Sequence, residues 1–227
     1  MEPSGALFHL GPLGIGQAVL TTWGIILALA LFSFVATRSL GERPGMLQTV
    51  LEGVVLAIEG AIAEVYPQRP RMLVPFVGTL WVFVVVANLL GIVPGLHSPT
   101  GDLSLTAALA ILVFFSVHWY GVRAEGWRDY LRHYLSPNPL MFPFHVMSEL
   151  SRTVALAVRL FGNMASLEMA ALLVLLVAGF LVPVPILLLH VVEALVQAYI
   201  FGMLALVYIA GGIQSQQLTK ERKESRQ

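Results

Sequence analysis

Two arginines, an asparagine and a glutamate stand in an otherwise mostly apolar stretch, SRTVALAVRLFGNMASLE at 151–168. A guanidinium keeps its charge at any accessible pH, so it cannot relay a proton, but it can attract an anion or block a cation. Holding one near a bilayer centre costs at least about 2.5–3.5 kcal/mol, which makes such a residue a functional candidate by default. On a helix, Arg152 and Arg159 are seven apart and share a face, with Asn163 one turn further on. Glu168 lies nine residues past Arg159, on nearly the opposite face and about 14 Å along the axis. Downstream, His190, Glu193 and Gln197 follow at spacings of three and four and form a stripe. Upstream, Glu149 and Ser151 complete a second polar zone. Carboxylates and an imidazole in a wet cavity are the parts of a path that passes protons near neutral pH. Glu149 and Arg152 are also spaced for a plain ion pair near the interface. His190 and Glu193 supply only two of the three or four ligands a metal takes, so neither a metal nor a cofactor is expected.

The elements that must position these groups are membrane spans. Of 227 residues, 57% are hydrophobic and 11% charged, against about 25% charged in a soluble domain, and the mean hydropathy is +0.81. The length suits roughly five or six crossings in one membrane domain, placed at 1–218, with a solvated, mobile tail at 219–227. The absence of cysteine removes disulfides and thiolate metal sites. Glu2 is the only charge before Arg38, so the beginning reads as a first span with its N-terminus translocated rather than as a cleaved leader.

Apolar runs place crossings at 17–37, 72–93, 103–121, 144–180 and 186–216, the last two joined by the uncharged turn LVPVP. Residues 46–66 are helical in pattern but carry Gln48, Glu52 and Glu59 along one stripe. This segment is expected to lie in the interface, with a shallow or re-entrant span as the alternative. The fold class is therefore all-α integral membrane, with about five transmembrane helices plus an interfacial amphipathic helix. With five crossings every lysine and arginine except Arg152 and Arg159 falls on one side, which places the N-terminus outside and the C-terminus in the cytoplasm. The final two segments, 37 and 31 residues long, would span about 55 and 46 Å as helices. Both exceed the ~30 Å hydrocarbon core, so they form a long hairpin that tilts, kinks or emerges. Gly202, Gly211 and Gly212 are read as sites of close helix approach.

Four stretches in order, NLLGIVPG (88–95), SPTGDLSLTAALA (98–110), VRLFGNM (158–164) and VQAYIF (196–201), closely resemble subunit a of the F-type rotary ATP synthase. The resemblance covers about residues 72–212. It implies the stator of a membrane motor, with no nucleotide site of its own, in a bacterial-type inner membrane. The implied partners are a ring of c subunits, the peripheral-stalk b subunits, the rest of the ATP synthase complex and the lipid bilayer, with no nucleic acid. Two offset half-channels would carry protons to and from a carboxylate on the ring. Arg159 matches the family's essential arginine, which attracts that carboxylate and separates the channels. Asn163 follows at the family's spacing, Glu168 and His190 match an acid/histidine pair of the outer channel, and Gln197 matches a glutamine facing the arginine. Arg152 matches a commonly basic position, and Glu149 and Ser151 fit the inner channel. Glu193 is an additional acid, and its oxygens raise sodium as the alternative coupling ion. An independent secondary transporter of an anionic substrate is the remaining alternative, and it should show two similar halves, which this sequence lacks.

Overall fold

A computed structural model describes residues 6–10, 13–38, 45–93, 98–127, 130, 142–178 and 183–224. Six helices dominate: α1 (Gln17–Arg38), α2 (Met46–Val65), α3 (Pro70–Leu90), α4 (Leu103–Glu125), α5 (Phe142–Ala178) and α6 (Pro183–Glu224). A 3-10 turn, Pro99–Gly101, precedes α4. Two short strands, β1 (Ala6–Leu10) and β2 (Leu13–Gly16), pair antiparallel ahead of α1 and are not foreseen from the sequence. The molecule is otherwise the all-α membrane protein expected, and all six helices are long and apolar enough to cross a bilayer.

The helix starts differ from the expected ones for a common reason. Proline lacks an N–H, and the first turn of a helix leaves its N–H groups unbonded in any case, so proline opens helices well. Thus α3 begins at Pro70 rather than at 72, α5 takes in Pro143, and α6 begins at Pro183 inside the turn expected at LVPVP. The α4 start is fixed by Asp102, whose carboxylate accepts a hydrogen bond from the Ser104 N–H at 2.7 Å, an N-cap. At its far end, α6 continues to Glu224, so the polar residues Lys220–Glu224 extend the helix.

The core lies between α3, α4, α5 and α6. Leu80, Val84, Leu109, Val113, Leu156, Leu160 and Phe201 interlock there with Ala87, Ala110, Ala157, Ala198 and Ala205. Small residues are what membrane helix packing needs, because lipid offers no hydrophobic penalty to drive association and close van der Waals contact must supply it. The closest approach is at Gly202, where an added Cβ would overlap the indole of Trp81 on α3. A Cβ at Gly212 would meet Val117 of α4 at 3.1 Å, whereas one at Gly211 would meet nothing within 4 Å. Two of the three glycines expected to allow close packing therefore do so.

α2 joins through its second half only. Ile62 and Tyr66 are buried against Leu73, Val77, Leu206, Ile209 and Ile213, and Glu59 accepts a hydrogen bond from Arg71 at 2.9 Å. Its first half presents Met46, Leu47, Val50, Val54 and Val55 outward. α1 buries only Ile25.

Candidate functional site

The polar groups singled out in the sequence sit on α5 and α6 and form three separate arrangements. The first is Arg159. Its side chain is exposed on α5, and among the described residues it makes no hydrogen bond or ion pair. Beneath it, Leu160 and Leu156 are buried in the core, so helical geometry fixes the arginine on the outer face. One turn along, Asn163 Nδ2 donates to Gln197 Oε1 at 2.6 Å. This bond clamps α5 to α6 beside the free cation. Asn163 is thus drawn inward, although the sequence placed it on the same face as Arg152 and Arg159. Gln197 is 1% exposed and its Nε2 has no partner among the described residues. That buried amide N–H₂ is a donor waiting for an acceptor.

The second arrangement surrounds Glu168. Its Oε1 accepts a hydrogen bond from the Ser98 backbone N–H at 2.8 Å. Gly101 makes room for the carboxylate, and Gly91 makes room for Ser98, whose Cβ an added Cβ there would meet at 2.9 Å. A Cβ at Gly101 would lie 3.2 Å from Glu168 Oε2, and one at Gly91 would lie 3.5 Å from Oε1. Ser98 is itself locked: its Oγ donates to Ala87 O at 2.9 Å and touches Thr100 Oγ1 at 2.6 Å. Thr100 Oγ1 donates to Asn88 Oδ1 at 2.7 Å, and Asn88 Nδ2 donates to Ala194 O at 3.1 Å. Each hydroxyl carries one hydrogen, so at any moment only two of these three oxygen contacts hold a proton. The chain of bonds ends one residue from Glu193 and one turn from His190. His190 is 2% exposed with Nε2 unpartnered among the described residues, and Glu193 is half-buried. No hydrogen bond or ion pair among the described residues joins Glu168 directly to His190 or Glu193.

The third arrangement lies at the opposite end of α5, in a cleft between α4, α5 and α6 lined by Val113, Phe114, Val117, Glu149, Arg152, Thr153, Leu156 and Tyr208. Glu149 Oε2 approaches His118 Nε2 of α4 at 3.4 Å, and Arg152 lies 5.8 Å from the centre of the Tyr208 ring. The ion pair expected between Glu149 and Arg152 is therefore replaced: the carboxylate turns to a histidine and the guanidinium to an aromatic face, a favourable cation–π placement. Ser151 is exposed beside them.

Two features escaped the sequence reading. The Asn88–Thr100–Ser98 network is carried by uncharged residues within the motifs NLLGIVPG and SPTGDLSLTAALA, whose polar side chains were the available signal. His118 is a lone histidine in an apolar helix, and only the cross-helix partner gives it meaning.

A family model described as the ATP synthase A chain matches residues 19–210. ATP synthase subunit a 2 of Pelobacter propionicus is 61% identical over 224 residues, covering 99% of this chain and 98% of that protein. ATP synthase subunit a 1 of Hahella chejuensis is 63% identical over 206 residues, 91% of this chain and 88% of the relative. Subunit a of Legionella pneumophila, strain Philadelphia 1, is 55% identical over 215 residues, 94% of each. With the motifs in order, the buried polar framework that supports them and identity along nearly the whole length, the chain belongs to the ATP synthase A chain family, that of subunit a in the membrane sector of F-type ATP synthases.

Proposed function

We infer that this chain is the stator ion channel of a rotary ATP synthase in a bacterial inner membrane, passing protons through two offset half-channels to and from a carboxylate on a rotating c ring. The observation that carries this reading is Arg159, a cation on the outer face of a core helix with no partner within the described chain. A permanent charge left unpaired in a membrane domain is costly, and the cost is recovered when a mobile anion comes opposite it. A ring carboxylate in its deprotonated form is such an anion. Once protonated and neutral it is released, so attraction alternates with ion loading. Because the guanidinium cannot deprotonate, it separates the two channels without conducting between them.

Glu168, held by Ser98, and His190 form the outer path, with Glu193 beside them. Glu149, Ser151 and Arg152 border the inner path at the other end of α5. Gln197 keeps Asn163 at a fixed height next to Arg159. The peripheral-stalk b subunits, like the ring, bind the apolar faces this chain leaves open. No nucleotide site is assigned to it.

Arg159→Ala tests the reading. ATP synthesis driven by an ion gradient should fall to background while the complex still assembles and keeps its nucleotide-hydrolysing sector attached. Synthesis retained in an assembled Arg159→Ala complex would sink the proposal. Sodium coupling is the second reading, favoured by the half-buried Glu193 carboxylate one turn from His190. Ion flux in reconstituted vesicles with and without sodium at constant pH decides between them, and sodium dependence would replace the proton.

A further inference from the structure

We propose that His118 and Glu149 form a one-proton relay at the inner end of the ion path, a role that rests on the channel reading above. The reasoning begins with hydrogen positions. His118 Nδ1 lies 2.9 Å from the Phe114 carbonyl oxygen. A carbonyl only accepts, so Nδ1 carries a hydrogen and donates it, whatever the charge of the ring. The remaining nitrogen, Nε2, faces Glu149 Oε2 at 3.4 Å. An ionised carboxylate is also acceptor-only. Without a proton between them, the two atoms present lone pairs to each other. With one proton they form a bond in either of two forms, carboxylic acid to neutral imidazole or carboxylate to imidazolium. The geometry is therefore a site that takes up one proton and stabilises it from both sides.

The location suits a relay. Glu149 also lines the cleft that runs along α5 past Thr153 to Leu156, the direction of Arg159, so the carboxylate is open to a proton delivered through that cleft. His118 lies seven residues from the end of α4 at Glu125, with its ring 31% exposed. During synthesis a proton arriving on cleft water adds to Glu149 Oε2. It crosses to His118 Nε2 as the O–H bond breaks and the N–H bond forms, then leaves Nε2 for water at the rim. Hydrolysis runs the same transfers backwards. The pair alternates between one negative charge and none, and no other bond changes.

Several charged or titratable groups face the pair. Arg152, one turn from Glu149, is drawn toward Tyr208 on α6 at 5.8 Å and makes no ion pair with the carboxylate among the described residues. The Tyr130 ring sits 6.0 Å from the histidine. His145 is one helical turn before Glu149 on the same side of α5. An ion pair that merely tied α4 to α5 would place no demand on a cleft reaching the carboxylate, and it would not make flux depend on inner-face pH.

The test uses the intact ATP synthase in inverted and right-side-out vesicles. His118→Gln keeps an amide donor for Phe114 and a polar end for Glu149 but cannot gain and lose a proton. Glu149→Gln removes the other partner. Each should lower ATP-driven proton pumping at least ten-fold and flatten its dependence on inner-face pH, with outer-face pH dependence unchanged. Assembly is read from retained ATP hydrolysis on the membranes, and if one variant fails to assemble the other decides the test. Wild-type rate and inner-face pH profile in an assembled variant would overturn the relay. If Arg159→Ala is inactive in the same preparation, that result removes only the relay, whereas an active Arg159→Ala removes the channel reading itself.

Discussion

Glu168 shows how much a single side chain's role depends on what supports it. The carboxylate is fixed by one backbone N–H, that of Ser98, which is 4% exposed. Substitution to Gln leaves an amide oxygen for that N–H but abolishes proton exchange. Substitution to Ala leaves the N–H buried and unmet, at about 1–3 kcal/mol. Both variants should therefore slow proton entry from the outer face, while only Glu168→Ala should also lower thermal stability of the complex. Equal stability of the two would show that the Ser98 bond contributes nothing. His190→Ala should slow the same outer step without loss of assembly. Flux assays with the pH varied on one face at a time check both, and normal flux in either variant would remove that residue from the outer path.

Among elements, the contact of α6 with α3 sets the scaffold. Gly202 lets the backbone of α6 meet Trp81, which also stacks on Tyr199 with ring centres 5.7 Å apart. Gly202→Ala should force the two helices apart, an overpacking cost of about 1–3 kcal/mol. Gly211→Ala, which meets nothing within 4 Å, should be neutral or stabilising by up to about 1 kcal/mol, since alanine gives up less backbone freedom in a helix. Comparing unfolding midpoints of the two variants in detergent checks this, and equal midpoints would refute the close packing. The same contrast shows what was legible beforehand. All three glycines look alike in the sequence, and only the facing side chain separates them. Helix existence, order and type followed from apolar periodicity, and the Arg159–Asn163 and His190–Gln197 spacings placed the site along the helices. What periodicity could not show was partner choice across helices. Glu149 took His118 rather than Arg152, and Asn163 turned to Gln197 rather than to the outer face, because such pairings depend on the rotation of one helix against another.

At the scale of the whole molecule, the question with most consequence is how many of the six long helices cross. Length and hydropathy admit all six, α2 included. Charge and packing favour five. With α2 lying along the interface, every lysine and arginine outside Arg152 and Arg159 falls on one side, whereas a crossing α2 would divide them, against the positive-inside rule. A crossing α2 would also carry Glu52 and Glu59 into the bilayer. Glu59 instead pairs with Arg71, whose side chain is 88% exposed, an arrangement suited to a wet interface. The second half of α2 packs on α3 and α6 through Ile58, Ala61, Ile62 and Val65, with Tyr66 just beyond its end, which ties down one end of an interfacial helix and leaves the apolar side of its first half for lipid. The two arrangements differ in a directly measurable way, because an odd number of crossings puts the chain's ends on opposite sides and an even number puts them on the same side. The protein has no cysteine, so Ser4→Cys and Ser225→Cys each introduce a single reactive thiol. A membrane-impermeant maleimide should label Ser4→Cys from the outer face of intact cells and Ser225→Cys only in inverted vesicles. Labelling of both from one face would make α2 a sixth span and would reverse the outer and inner assignments of either Glu168 or the chain's N-terminus.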